Sequence, residues 1–211
     1  MSFSLLNIAK KYNGDWVFRN TNFKFEIPGS YVIKGSNGSG KSTLLKILSG
    51  FLSPSEGEIK LQLKSKYIPT ENWSNHITYA APDYELIEEM YLEEFVSFYV
   101  KFKPLQKGIS QNDLIKIAYL ERAKNKQIKN FSSGMKQRLK LVLAWLTDVP
   151  IVLLDEPCSN LDASGIEWYK NLANEYSKNR LVIVCSNNIK DEFSFCNKSL
   201  DMDDFIQIAS S

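Results

Sequence analysis

Apolar and polar residues alternate along the first third of the chain. Phe3 and Leu5 stand between serines, Asn13-Gly14-Asp15 reads as a turn, and Phe23, Phe25 and Ile27 alternate with polar residues. After the turn-forming Pro54-Ser55-Glu56-Gly57, the same period of two returns at Ile59, Leu61 and Leu63. This period puts one face of a strand on a core and the other in water, so these segments predict antiparallel strands. Ile151-Val152-Leu153-Leu154 and Leu181-Val182-Ile183-Val184 are instead continuously apolar. They predict parallel strands covered by helices on both faces. Tyr31-Val32-Ile33 is a further short apolar strand, and Thr43–Leu48 reads as a helix behind it.

From Glu85 to Lys129 the texture changes. Glu, Lys, Leu, Ile and aromatic residues fall at helical spacing, among them Phe95, Phe98, Tyr99 and Phe102. Pro104 and Gly108 break the pattern, and Asn112 is placed to cap a helix from Asp113 to Lys124. Met135–Leu146 carries Leu139, Val142, Leu143 and Leu146 on one face and returns the chain to the core. The prediction is one α/β domain over residues 1–211 with a helical lobe inserted at about 85–135.

The 211 residues suffice for one such domain with a sizeable core, and 44% hydrophobic with 24% charged residues are ordinary globular values. A net charge of +2 with no basic run gives no reason to expect nucleic acid. No secretory leader and no apolar stretch of about 18 residues is read, so a membrane role is expected only through a partner. Cys158, Cys185 and Cys196 have spacings of neither a disulfide framework nor a zinc site and predict buried free thiols in a reducing cytosol. His76, the single histidine, lies in a polar stretch and reads as a surface or loop residue.

Candidate chemistry begins at Gly35-Ser36-Asn37-Gly38-Ser39-Gly40-Lys41-Ser42-Thr43. Glycine, four residues, then Gly-Lys-Ser/Thr is the spacing of a phosphate-binding loop. Glycines let successive amide N–H groups turn inward as a nest for an anion, and the following helix aims its positive end there. Lys41 adds a full charge for the terminal phosphates, and the Ser42 hydroxyl is placed to ligate Mg²⁺. Asp155-Glu156 ends the run Ile151–Leu154, where ligands gather in parallel α/β sheets. Taken alone the pair also fits a solvated strand end. With the loop upstream, Asp155 is expected to hold Mg²⁺ and Glu156 to polarise an attacking water.

Phe131-Ser132-Ser133-Gly134-Met135-Lys136-Gln137-Arg138 precedes that strand, and Asp155-Glu156-Pro157-Cys158-Ser159-Asn160-Leu161-Asp162 follows from its end. From the residues alone, Phe131–Gly134 is a loop and helix cap. In this order behind the phosphate loop, the segments resemble an ATP-binding cassette (ABC) ATPase over nearly the whole chain. The resemblance implies a RecA-like P-loop core with a mostly parallel sheet, an N-terminal antiparallel β subdomain and an inserted α-helical subdomain. It implies that Ser132 and Gly134, in the family's signature motif, contact the γ-phosphate of ATP held by a second protomer. Asp162 falls in the loop that communicates between the two sites. Tyr12 stands where the family stacks an aromatic on adenine, with Trp16 as a competitor.

Departures are visible at three places. Phe131, Ser133 and Met135 replace the first, third and fifth residues of the family's Leu-Ser-Gly-Gly-Gln. Pro82 takes the place of the glutamine expected in Tyr79–Tyr84, leaving Asp83 or Glu85 as substitutes near Mg²⁺. Ser186-Asn187-Asn188 replaces the segment with the switch histidine, and an asparagine hydrogen-bonds a phosphate oxygen without carrying a proton or a positive charge. The expectation is ATP binding with slow hydrolysis. The resemblance further implies a second ATPase protomer, an integral membrane transporter subunit, and a location on the inner face of the cell membrane. Tyr91, Phe95, Phe98 and Tyr99 are the candidate contact for that subunit. A soluble ABC-type ATPase acting on a protein or nucleic-acid assembly is the alternative, and a small-molecule kinase a more distant one.

Overall fold

A computed structural model of the chain describes residues 1–207. In chain order the elements are β1 (Ser2–Tyr12), β2 (Asp15–Glu26), β3 (Gly29–Lys34), α1 (Lys41–Ser49), β4 (Glu56–Leu63), β5 (Lys66–Ile68) and β6 (Ile77–Ala80). There follow α2 (Leu92–Phe102), α3 (Gln111–Ile117), α4 (Ser133–Leu146), β7 (Ile151–Asp155), α5 (Ala163–Tyr176), β8 (Leu181–Ser186), α6 (Lys190–Phe193), β9 (Lys198–Asp201) and α7 (Met202–Gln207). Short 3₁₀ turns lie at Thr70–Asn75, Glu121–Ala123 and Ile128–Asn130.

Two sheets form. One is antiparallel in the order β2-β1-β4-β5, and the other is parallel in the order β6-β7-β8-β3-β9. The apolar runs explain the second sheet. In β7, Ile151 and Leu153 pack with Phe3, Leu5, Phe25, Leu44 and Leu48 between the sheets, while Val152 and Leu154 join Leu92, Leu114, Leu139, Val142 and Trp145 on the other face. A strand wetted on neither face has no reason to alternate. Burial of this kind contributes about 25 cal/mol per Å² of apolar surface and is the main force holding β7 and β8 at the centre.

The segment 85–131 is helical as expected, with one boundary shifted. The helix anticipated from Asp113 to Lys124 runs instead from Gln111 to Ile117, capped by Ser110 and not by Asn112. The Ser110 hydroxyl accepts from the Asp113 amide at 3.1 Å while the Asp113 carboxylate accepts from the Ser110 amide at 2.9 Å. This reciprocal pair outcompetes a cap two residues later. Tyr119 then turns left-handed (φ 57°) and ends the helical path. Asn112 is used otherwise, its Oδ1 accepting from Lys124 Nζ at 2.6 Å. β5, β6, α5, α6, β9 and α7 are additions to the predicted elements. Cys158 and Cys185 are buried free thiols, whereas Cys196 is only half-buried. His76 follows the 3₁₀ turn, half-buried, with its amide donating to the Trp73 carbonyl at 2.8 Å.

Candidate functional site

The loop between β3 and α1 turns on glycines where no other residue fits easily. Gly40 has φ 99°, and a Cβ there would lie 2.6 Å from Val17 Cγ1, so a side chain is excluded by conformation and by space. Gly38, at φ 82°, faces open space instead. Behind them α1 is anchored by the buried Leu44, Leu45 and Leu48. Lys41 is only 4% exposed. Its ammonium donates to the Gly35 carbonyl at 2.8 Å, the Ser36 carbonyl at 2.9 Å and Asn187 Oδ1 at 2.6 Å.

β7 ends beside this loop. Asp155 is buried, hydrogen-bonded by Ser42, and its Oδ1 has no hydrogen-bond partner. Burial pushes its acid up to about 6, with the Ser42 hydrogen bond opposing and the Glu156 charge adding to the rise. A buried carboxylate with an unused oxygen, next to a hydroxyl, is a hard donor set of the kind that suits Mg²⁺. Glu156 follows in a left-handed backbone (φ 43°), its amide held by the Cys185 carbonyl at 2.9 Å. The turn points its carboxylate at Asn187, whose Nδ2 donates to Glu156 Oε1 at 2.6 Å and to Asn37 Oδ1 at 2.5 Å. Lys41, Ser42, Asp155, Glu156, Asn37 and Asn187 thus converge on one spot.

The remaining candidates lie elsewhere. Ser132 caps α4 by accepting from the Met135 amide at 3.2 Å. With Gly134, Tyr119, Arg138, Asn160 and Asp162 it lines a separate cleft of 340 Å³ that no residue of 35–43 enters. Asp162 caps α5, accepting from the Gly165 amide at 2.7 Å, and that bond and the Ser164 hydroxyl hold its acid below the usual range. Tyr12 closes β1 and is 48% exposed, with Lys10 Nζ 5.1 Å from its ring centroid. Trp16 is covered by Lys11 at 5.1 Å and Arg19 at 4.2 Å. Asp83 is paired with Lys46 of α1 at 2.6 Å. Two further groups, neither a candidate in the sequence, enter the picture. Lys140, nearly buried on α4, donates to the carbonyls of Ala81 at 3.1 Å and Pro82 at 2.7 Å. It interrupts the apolar stretch Leu139–Leu146, which is a signal of a buried, partnered charge. Glu192, fully buried on α6, sits in Lys190-Asp191-Glu192, which reads as a solvated charge run and gives no such signal.

Between the parallel sheet and the helical lobe runs a groove of 340 Å³ lined by Phe51, Tyr79, Tyr84, Ile87, Phe98 and Lys103 among others. Phe98 and Tyr91 are exposed at 38% and 44%. Phe95, expected with them, is buried in the core of the lobe, and Tyr99 is turned inward to bond Thr147 Oγ1 at 3.1 Å. Among the described residues, no helix is long and apolar enough to cross a membrane.

A glycine-rich loop and helix behind a central parallel strand, with an acidic pair at the end of the next strand but one, define a P-loop nucleotide-binding domain. The sequence model of the ABC transporter family matches residues 18–159. A relative from Bacillus subtilis (strain 168), the uncharacterized ABC transporter ATP-binding protein YybJ, is 32% identical over 205 residues, 94% of this chain and 91% of that protein. In fold, the dimeric bacterial ABC transporter cassette MJ0796 matches at a TM-score of 0.80 and 24% identity, over 95% of this chain and 94% of that one. The same cassette in a dimeric post-hydrolysis state with ADP and Pi matches at a TM-score of 0.76 and 23% identity, over 90% of each chain. The chain therefore belongs to the ABC transporter family, as an ATP-binding ATPase subunit.

Proposed function

We propose that this subunit binds MgATP at the loop 35–43 and hydrolyses it slowly to drive a membrane transporter partner. The observation that carries the reading is the convergence of Lys41, Ser42, Asp155 and Glu156 at the ends of β3 and β7. The amides of the loop and the Lys41 ammonium hold the β- and γ-phosphates. Ser42 and Asp155 would hold Mg²⁺, which would offset phosphate charge. Glu156 accepts the proton of the attacking water. Asn187 orients Glu156 through one N–H, and the other, given to Asn37 Oδ1 without nucleotide, would turn to the γ-phosphate when ATP binds; as a neutral group it moves no proton. Proline at position 82 offers no side-chain amide in the loop after β6, and Asp83 is engaged by Lys46. Both features favour slow turnover.

Ser132 and Gly134 form a second anion site at the start of α4, away from the loop of their own protomer. In our reading, two protomers close head to tail so that this site meets the γ-phosphate across the interface, with Asp162 beside it and Tyr12 stacking on adenine. The apolar groove flanked by Phe98 takes a segment of the membrane subunit, which keeps the ATPase on the cytoplasmic face. Closure with ATP and opening after hydrolysis would then be the motion delivered to that subunit.

The test is Glu156→Gln in the purified full chain. ATP binding is expected to persist, turnover to fall at least about 100-fold (~2.7 kcal/mol), and an ATP-dependent dimer to accumulate in size-exclusion chromatography. Wild-type turnover in the variant would overturn the assignment of Glu156.

A further inference from the structure

Beneath Asn187 lies a carboxylate that the hydrolytic reading leaves unused. Glu192 is 0% exposed. Its Oε2 accepts from the Ser186 hydroxyl at 2.5 Å and its Oε1 from the Cys158 amide at 3.2 Å. Its own carbonyl accepts from the Tyr169 hydroxyl at 2.8 Å, fixing it against α5. The neighbouring Asp191 reaches Lys170 at 3.6 Å, whereas the partners of Glu192 are a hydroxyl and an amide. Burial pushes its acid up to about 7, its two hydrogen bonds oppose the rise, and the charges of Glu156 and Asp155 add to it. A buried carboxylate without a cation is costly, and an apolar side chain would fill the space at lower cost.

The bonds say where the benefit lies. Ser186 is the last residue of β8, and its Oγ also accepts from the Ile189 amide at 3.2 Å, closing the turn that presents Asn187. Cys158 belongs to the loop that leaves β7 with Glu156. The two loops depart from neighbouring strands, and Asn187 and Glu156 meet above them at 2.6 Å. Glu192 joins the same two loops from below. The Glu156 amide and the Cys185 carbonyl already join the two strand ends at 2.9 Å, and the Asn187–Glu156 bond joins the side chains. Glu192 extends that tie beyond the strand ends, to the Cys158 amide in one loop and to the Ser186 hydroxyl that closes the other turn.

We propose that Glu192 is a positioning residue for ATP hydrolysis, holding the Asn187 turn and the Glu156–Asp162 loop in fixed relation. The inference rests on the function proposed above and deepens it. It acts on the chemical step and not on nucleotide capture, because no bond of Glu192 reaches residues 35–43.

Glu192→Ala and Glu192→Gln in the full chain separate the possibilities. Glutamine keeps the tie with altered polarity: Oε1 accepts from the Cys158 amide and Nε2 donates to Ser186 Oγ. Glu192→Ala is expected to lower kcat about tenfold while the Kd for a fluorescent ATP analogue stays within about twofold, and Glu192→Gln to recover kcat to within about threefold. If the alanine variant does not fold, Ser186→Ala cuts the same tie from the other side and is expected to give the same split. Unchanged kcat in folded Glu192→Ala or Ser186→Ala overturns the proposal. Equal loss of kcat and nucleotide affinity overturns it too, since that is general damage. Glu156→Gln measured alongside keeps the two readings apart. Full activity there removes the hydrolytic reading itself, whereas an inactive Glu156→Gln beside an unaffected Glu192→Ala removes only the role of Glu192.

Discussion

Around Lys41, the loop proposed to grip a triphosphate keeps the family's residues, while at Asn187 and Pro82, where the proposed cleavage acts on its end, the family's residues are replaced. Lys41 is held by three acceptors, Gly40 is pressed against Val17, and α1 is locked by buried leucines. These parts are backbone geometry and core packing. The rim is made of side chains at the ends of β6, β7 and β8, and it departs from the family pattern at the first and the last of these. In the function proposed above, gripping a nucleotide and cleaving it therefore draw on largely different elements, joined by the Lys41–Asn187 bond.

The largest expected effect is at Lys41. Lys41→Met is expected to weaken ATP binding about 100-fold, or ~2.7 kcal/mol, in a fluorescent-nucleotide titration. A small loss would mean that the amides of the loop suffice. On the rim, Asn187→His is expected to raise kcat about five- to tenfold with nucleotide Kd unchanged, in a steady-state phosphate-release assay. No gain would show that the missing imidazole is not what limits turnover. The last effect is on stability and not on turnover, and concerns the buried strut. The folded-state acid of Glu192 lies at about 7, above its ordinary 4.5, so between these pH values the folded chain keeps a proton that the unfolded chain releases. Its contribution to stability therefore falls as pH rises from about 4.5 to 7 and is level beyond. Urea unfolding at pH 5 and pH 8 is expected to show Glu192→Gln gaining ~1–2 kcal/mol relative to wild type at the higher pH.

What was legible in the chain, and what was not, follows the same division. Strands β7 and β8 announce themselves because residues buried on both faces are apolar without interruption, and the glycine-lysine loop because its spacing is set by local backbone geometry. The Lys41–Asn187 bond spans 146 residues and the Lys46–Asp83 pair 37, and no local pattern encodes such meetings. Asp83 looked free for a metal because its partner lies on another element. Asn112 looked like a cap because Ser110 two residues earlier needed Asp113 to compete. Phe95 shared the spacing of its exposed neighbours, yet lies on the buried side of α2. Lys140 was visible as a charge in an apolar stretch, and Glu192, set among other charges, was not.

The left-handed turn at Glu156 carries a consequence for how evolution or engineering can alter this subunit. A non-glycine residue held at φ 43° stores about 1–3 kcal/mol, secured here by the Cys185 carbonyl that grips its amide. Glycine would relax that bend at once, so the cheapest route to a sturdier domain at this position would also remove the carboxylate proposed to activate water. On that proposal, robustness and turnover are set against each other within a single residue.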